Sequence, residues 1–167
     1  MMFRIVLTLF FVFTPVFAQD GLSSLFTPYG EMQTALAGDD LAVAKQSATQ
    51  LQAAISAVDE GQLNDPIKKA WAHQKSHLQG AAAKAQEAGD IATVRTHFKT
   101  VSVAMIALSD VASPDGFSQF HCPMAFDNKG ANWLQKGTTT RNPYFGSSML
   151  GCGVQVKAKE KHNHKHH

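Results

Sequence analysis

The sequence predicts a mainly α protein: an up-down four-helix bundle followed by an irregular, Gly- and aromatic-rich segment with room for one short strand pair. Three observations predict it. From Leu22 to Val111 apolar residues recur at alternating spacings of three and four, the period of helices packed along a seam. Capping residues punctuate that stretch, and from Ser113 the period gives way to Gly, Pro, Asn, Thr and aromatics.

The chain opens with one basic residue, Arg4, then an almost wholly apolar run from Ile5 to Val16 and small-residue spacing at Val16-Phe17-Ala18. That is the pattern of a secretory signal peptide, residues 1–18. No later stretch reaches the roughly 20 apolar residues a membrane-spanning helix needs. Residues 19–156 are expected to form a single domain, and the product is expected to be exported.

Four seams define the helices. The first is Leu25, Tyr29, Met32 and Leu36, with Pro28 and Gly30 predicting either a start after Thr27 or a kink. The second is Leu41, Ala44, Ala48, Leu51, Ile55 and Val58; the third is Ile67, Trp71, Gln74, Leu78, Ala81 and Ala85; the fourth is Ile91, Val94, Phe98, Val101, Met105 and Leu108. Gly38 and Gly89 are expected to be left-handed caps, with Asp39 or Asp40, Asp65 and Asp90 capping the helices that follow. Short connections make consecutive helices antiparallel neighbours.

Residues 113–153 hold turn signals at Asp127-Asn128-Lys129-Gly130, Gly137-Thr138 and Asn142-Pro143. Alternation at Phe120, Cys122 and at Val154, Val156 permits a strand pair. Trp133, Leu134, Tyr144 and Phe145 are expected to anchor this segment on the bundle. Residues 157–167, rich in Lys and His, read as a disordered tail, native rather than engineered.

Without residues 1–18 the chain has 14 Lys and Arg against 13 Asp and Glu, a balance that leaves no footprint for nucleic acid or an acidic membrane surface. No GxSxG, HExxH, CxxC or phosphate-loop pattern occurs, and the chain is not expected to be an enzyme.

What remains is sulfur. His121-Cys122-Pro123-Met124 and Met149-Leu150-Gly151-Cys152-Gly153 contain both cysteines and, after the signal peptide, two of four methionines. Thiolate and thioether are soft ligands suited to Cu(I). In an extended backbone Cys122 and Met124 leave on one side; Met149 and Cys152, three apart, share one side of a helical or 3-10 turn. Docking the two runs would complete a sulfur site of three or four ligands, with His121 either a further ligand or a hydrogen-bonded neighbour. The competing reading is a structural Cys122–Cys152 disulfide in an exported domain, with Met124 and Met149 as packing. Met32 and Met105 fall on helix seams and are expected in the core. His73 and His77 are expected on a solvated flank, and His162, His164, His166 and His167 in the tail are weaker metal candidates.

Cys122-Pro123-Met124-Ala125, Gly130-Ala131-Asn132-Trp133-Leu134, Asn142-Pro143-Tyr144-Phe145-Gly146 and Met149-Leu150-Gly151-Cys152-Gly153 together resemble a bacterial periplasmic domain family. It occurs alone and as the C-terminal extension of periplasmic adaptors of heavy-metal efflux pumps. The resemblance extends upstream through Tyr29, Ala35-Leu36, Asp39-Asp40 and Arg95, Phe98, Ser102. It implies heavy-metal handling, chiefly of copper as Cu(I), with Ag(I) or Zn as other ions, at Cys122, Met124, Met149 and Cys152. Efflux or copper-handling proteins are the implied partners. The hairpin, lipoyl and barrel portions of an adaptor are absent, so this chain is not expected to bridge a pump to an outer-membrane channel.

Overall fold

A computed structural model describes residues 21–156; the expected signal peptide and the tail with His162, His164, His166 and His167 lie outside them. Four long helices are formed as the seams predict: α1 Ser23–Ala37, α2 Leu41–Ser56, α3 Asp65–Glu87 and α4 Ile91–Ala112. Each packs on the next, and their seams bury Leu25, Tyr29, Met32 and Leu36 against Leu51, Trp71, Leu78, Phe98 and Met105. None is long and apolar enough to cross a membrane.

The caps differ from expectation in detail. Asp40 and Asp90 accept the backbone N–H of Val43 and Thr93, but α3 is capped by Asn64, so Asp65 is already helical and Pro66 sits in the first turn. Gly38 has φ −98°; the left-handed residue after α1 is Asp39, at φ 60°. Gly89 is not left-handed either. Helix α1 runs continuously through Pro28, which is buried.

After α4 the chain builds a three-stranded antiparallel sheet, β1 Phe117–Cys122, β2 Ala131–Lys136 and β3 Val154–Gln155, in the order β2-β1-β3. The β1–β3 pairing sets His121 opposite Val154, which is the strand pair the alternation permits. Strand β2 is an addition to it, pairing Phe120 with Trp133 and Cys122 with Ala131. The sheet rests on α4 and α1.

Two polar connections fix it there. The Tyr29 hydroxyl, fully buried, accepts the Leu134 N–H at 2.8 Å and is hydrogen-bonded to the Ser102 hydroxyl at 3.0 Å, joining β2, α1 and α4 at one atom. Burial raises the Tyr29 pKa and keeps the phenol protonated. At the bundle's end Arg95 donates to the carbonyls of Leu36 and Pro143, each at 2.8 Å, and to the Asp39 carboxylate, which also accepts the Ser147 N–H at 2.9 Å.

Candidate metal centre

Cys122 ends the central strand, and Pro123, which cannot donate to the ladder, ends the strand's pairing. Cys152 arrives on a separate loop, as the last residue of the turn closed by its N–H on the Met149 carbonyl at 3.0 Å. The fold brings these two thiols, 30 positions apart, to 2.8 Å between sulfurs, unbonded. Cys122 is fully buried and Cys152 half-buried.

That loop is held by Asn142, a residue the sequence marked as a turn and as part of a motif block but gave no role at the site. Its side chain is fully buried; Nδ2 donates to the Cys152 carbonyl at 2.6 Å while Oδ1 accepts the Tyr144 and Phe145 N–H groups. Thr140 donates to the Gly153 carbonyl at 3.2 Å. Gly153 itself lies at φ 133°, and a Cβ there would run into the Trp133 ring, so the chain can pass the sheet at this point only as glycine. A hydrogen-bonded asparagine leaves no periodic or compositional signal, which is why Asn142 was not legible as part of the site.

Cys152 has its pKa pushed up from 9.0 to about 11, first by its hydrogen bond with Cys122 and then by burial. At neutral pH it is a thiol. Two sulfurs sharing one ion through bonds of roughly 2.3 Å stand about 3.8 Å apart, and a disulfide requires about 2.05 Å. The observed separation lies between them, so either state is reached by about an ångström of side-chain rotation.

The methionines and His121 are placed less symmetrically than the sequence suggested. Met149 closes the 3-10 turn Gly146–Met149 and is half-buried, three residues before Cys152 as expected. Met124 departs from expectation: it is not extended with Cys122 but sits in the following turn, at φ −84° and ψ −14°, 49% exposed. His121 and Cys122 are strand neighbours and so point to opposite faces. The imidazole Nδ1 is paired with Asn132 Oδ1 at 2.7 Å, the hydrogen-bonded-neighbour alternative. Met32 and Met105 are fully buried in the core, and His73 and His77 are exposed on α3. Among the described residues no group of three His, Cys, Asp or Glu side chains converges.

Beyond Met124, Phe126, Asp127 and Asn128 have φ of 54°, 56° and 61°. Asp and Asn tolerate this region; Phe does not. Phe126 is held there by an edge contact with Tyr144, ring centroids 5.3 Å apart, and by Lys99 over its face at 4.6 Å.

Residues 25–115 match the family described as "Protein of unknown function (DUF3347)", over more than half of the chain. The chain belongs to this family. The matched region is the four-helix bundle and stops just before β1, so it contains neither cysteine. The match thus covers the bundle and is silent on the sulfur site. No curated protein and no solved structure matches the chain.

Proposed function

We propose that the chain binds Cu(I), with Ag(I) as a soft-ion equivalent, in the periplasm and either sequesters it or passes it to efflux or resistance partners. The observation that carries this reading is the approach of the Cys122 and Cys152 thiols to 2.8 Å, one buried and one half-open. Met149, half-buried in the turn that leads to Cys152, is the third ligand. Met124, exposed beside the end of β1, is the sulfur an arriving or departing ion meets first. Two thiolates and one thioether make a low-coordinate, all-sulfur set, which suits a soft monovalent ion. Zn(II) is less well served, since structural zinc sites draw four ligands from Cys, His and carboxylate. The connection to efflux adaptors rests on the sequence resemblance.

The same separation favours one competitor, a permanent Cys122–Cys152 disulfide stapling the sheet to the loop. Counting thiols in protein taken from the periplasm, with and without reductant, separates the two: the copper reading expects two titratable thiols before reduction. Competition of the reduced protein against a Cu(I) chelator should show at least a tenfold loss in affinity for Cys122→Ser and Cys152→Ser. Unchanged affinity in both variants would sink it.

A further inference from the structure

A second group of metal-binding side chains lies on the bundle, away from the sulfur pair. His73 and His77 are four residues apart on α3, so their Cβ atoms stand about 5–6 Å apart on one face. Both are exposed, and together with Gln74, Thr100, Val103 and Ala104 they line a cleft of about 470 Å³ between α3 and α4. An i, i+4 histidine pair on a helix is the spacing with which two imidazoles grip one transition-metal ion. In the hydrolytic version of that motif a glutamate follows the first histidine and serves as general base; here the position is Gln74, which can offer only a neutral amide oxygen. The cleft can therefore bind without activating water for hydrolysis. Helix α3 pairs with α2 and α4, whereas the sheet carrying Cys122 rests on α4 and α1, so the two places do not merge.

We propose that His73 and His77 form a second metal site, for a divalent imidazole-seeking ion and Cu(II) above the others, with Gln74 or Thr100 available as a weak oxygen ligand. Imidazole nitrogen suits Cu(II), and among divalent first-row ions Cu(II) binds a given nitrogen site most tightly. The inference stands whether or not the cysteines bind Cu(I).

The test uses the full chain with His162, His164, His166 and His167 changed to Gln and Cys122 and Cys152 changed to Ser, so that neither tail nor thiols take up or reduce the probe. Titration with Cu(II), followed by electron paramagnetic resonance, should show one ion with two-nitrogen hyperfine structure. His73→Gln or His77→Gln should weaken binding at least tenfold and remove one nitrogen from the spectrum. Moving a histidine off the face, by His77→Gln together with Gln79→His, should weaken binding equally although the number of histidines is kept. Cu(II) binding that is unaffected by this exchange, or by removing both histidines, would overturn the proposal.

Discussion

Asn142 holds Cys152 by its carbonyl at 2.6 Å, and the same side chain accepts the Tyr144 and Phe145 N–H groups, tying the cysteine loop to the turn that begins at Tyr144. Asn142→Ala leaves one carbonyl and two N–H groups without their partner in a buried place. An unsatisfied buried group costs about 1–3 kcal/mol. We expect Asn142→Ala to lower stability by at least about 2 kcal/mol in urea unfolding and to weaken Cu(I) retention, while Asn142→Asp, which keeps the acceptor but loses the donor to Cys152, should also lose affinity.

Tyr29→Phe preserves the stacked contact with Phe98, 5.3 Å between ring centroids, and deletes only the oxygen shared by Leu134 and Ser102. The Leu134 N–H is then buried without an acceptor. A loss of about 1–3 kcal/mol is expected, larger than for Ser102→Ala, because the serine change leaves the bond to Leu134 intact. Chemical denaturation of the two variants side by side checks the order.

Acid should release the end of the bundle. Hydrogen bonds from Ser147 and then Arg95 hold the Asp39 pKa at about 2, below its ordinary 3.8. A depressed carboxylate contributes stability that is complete above the unfolded value and is lost as pH falls through the folded one, so the window here is from about 4 down to about 2. Thermal unfolding of wild type should show an extra loss in that window that Asp39→Asn lacks, and Asp39→Asn should be the less stable protein at pH 7. Gly146→Ala, whose Cβ at φ 59° would fall onto the Asp39–Arg95 pair, should resemble Asp39→Asn at pH 7.

Metal uptake should release protons. Cys152 is a thiol at neutral pH, its pKa raised further to about 11, and a cysteine that binds Cu(I) does so as thiolate. Calorimetry in buffers of different ionisation enthalpy should report at least one proton released per Cu(I) bound, with affinity rising from pH 6 to pH 9. Met149→Leu should lower affinity with the proton count unchanged, since a thioether carries no proton. Met124→Leu should alter the rate of exchange with a chelator more than the equilibrium, as expected of an exposed sulfur.

Much of the bundle was legible because a helix's hydrophobic period is local: Leu25, Tyr29, Met32 and Leu36 recur at the spacing that buries them. Two caps were legible to within a residue, Asn64 in place of Asp65 and Asp39 in place of Gly38, since neighbouring polar residues compete for one cap and only the backbone path chooses, whereas the expected left-handed cap at Gly89 is not formed. Strand β2 was not legible. Trp133, Leu134 and Gln135 are all buried, so its face pattern does not alternate, and what makes it a strand is the partner β1.

The sequence by itself determined the four helices, the burial of Met32 and Met105, and the concentration of sulfur in two short runs. Those follow from local spacing and composition. Only the tertiary structure decided that Cys122 and Cys152 meet, that His121 turns to Asn132 and away from Cys122, and that Met124 stands in a turn with half its surface in solvent. The deciding contacts join residues 10 to 108 positions apart, through Asn132, Asn142, Tyr29 and the Asp39–Arg95–Ser147 clamp. Each is a single hydrogen bond between groups whose pairing no local pattern encodes, and it exists only once helices and strands have packed.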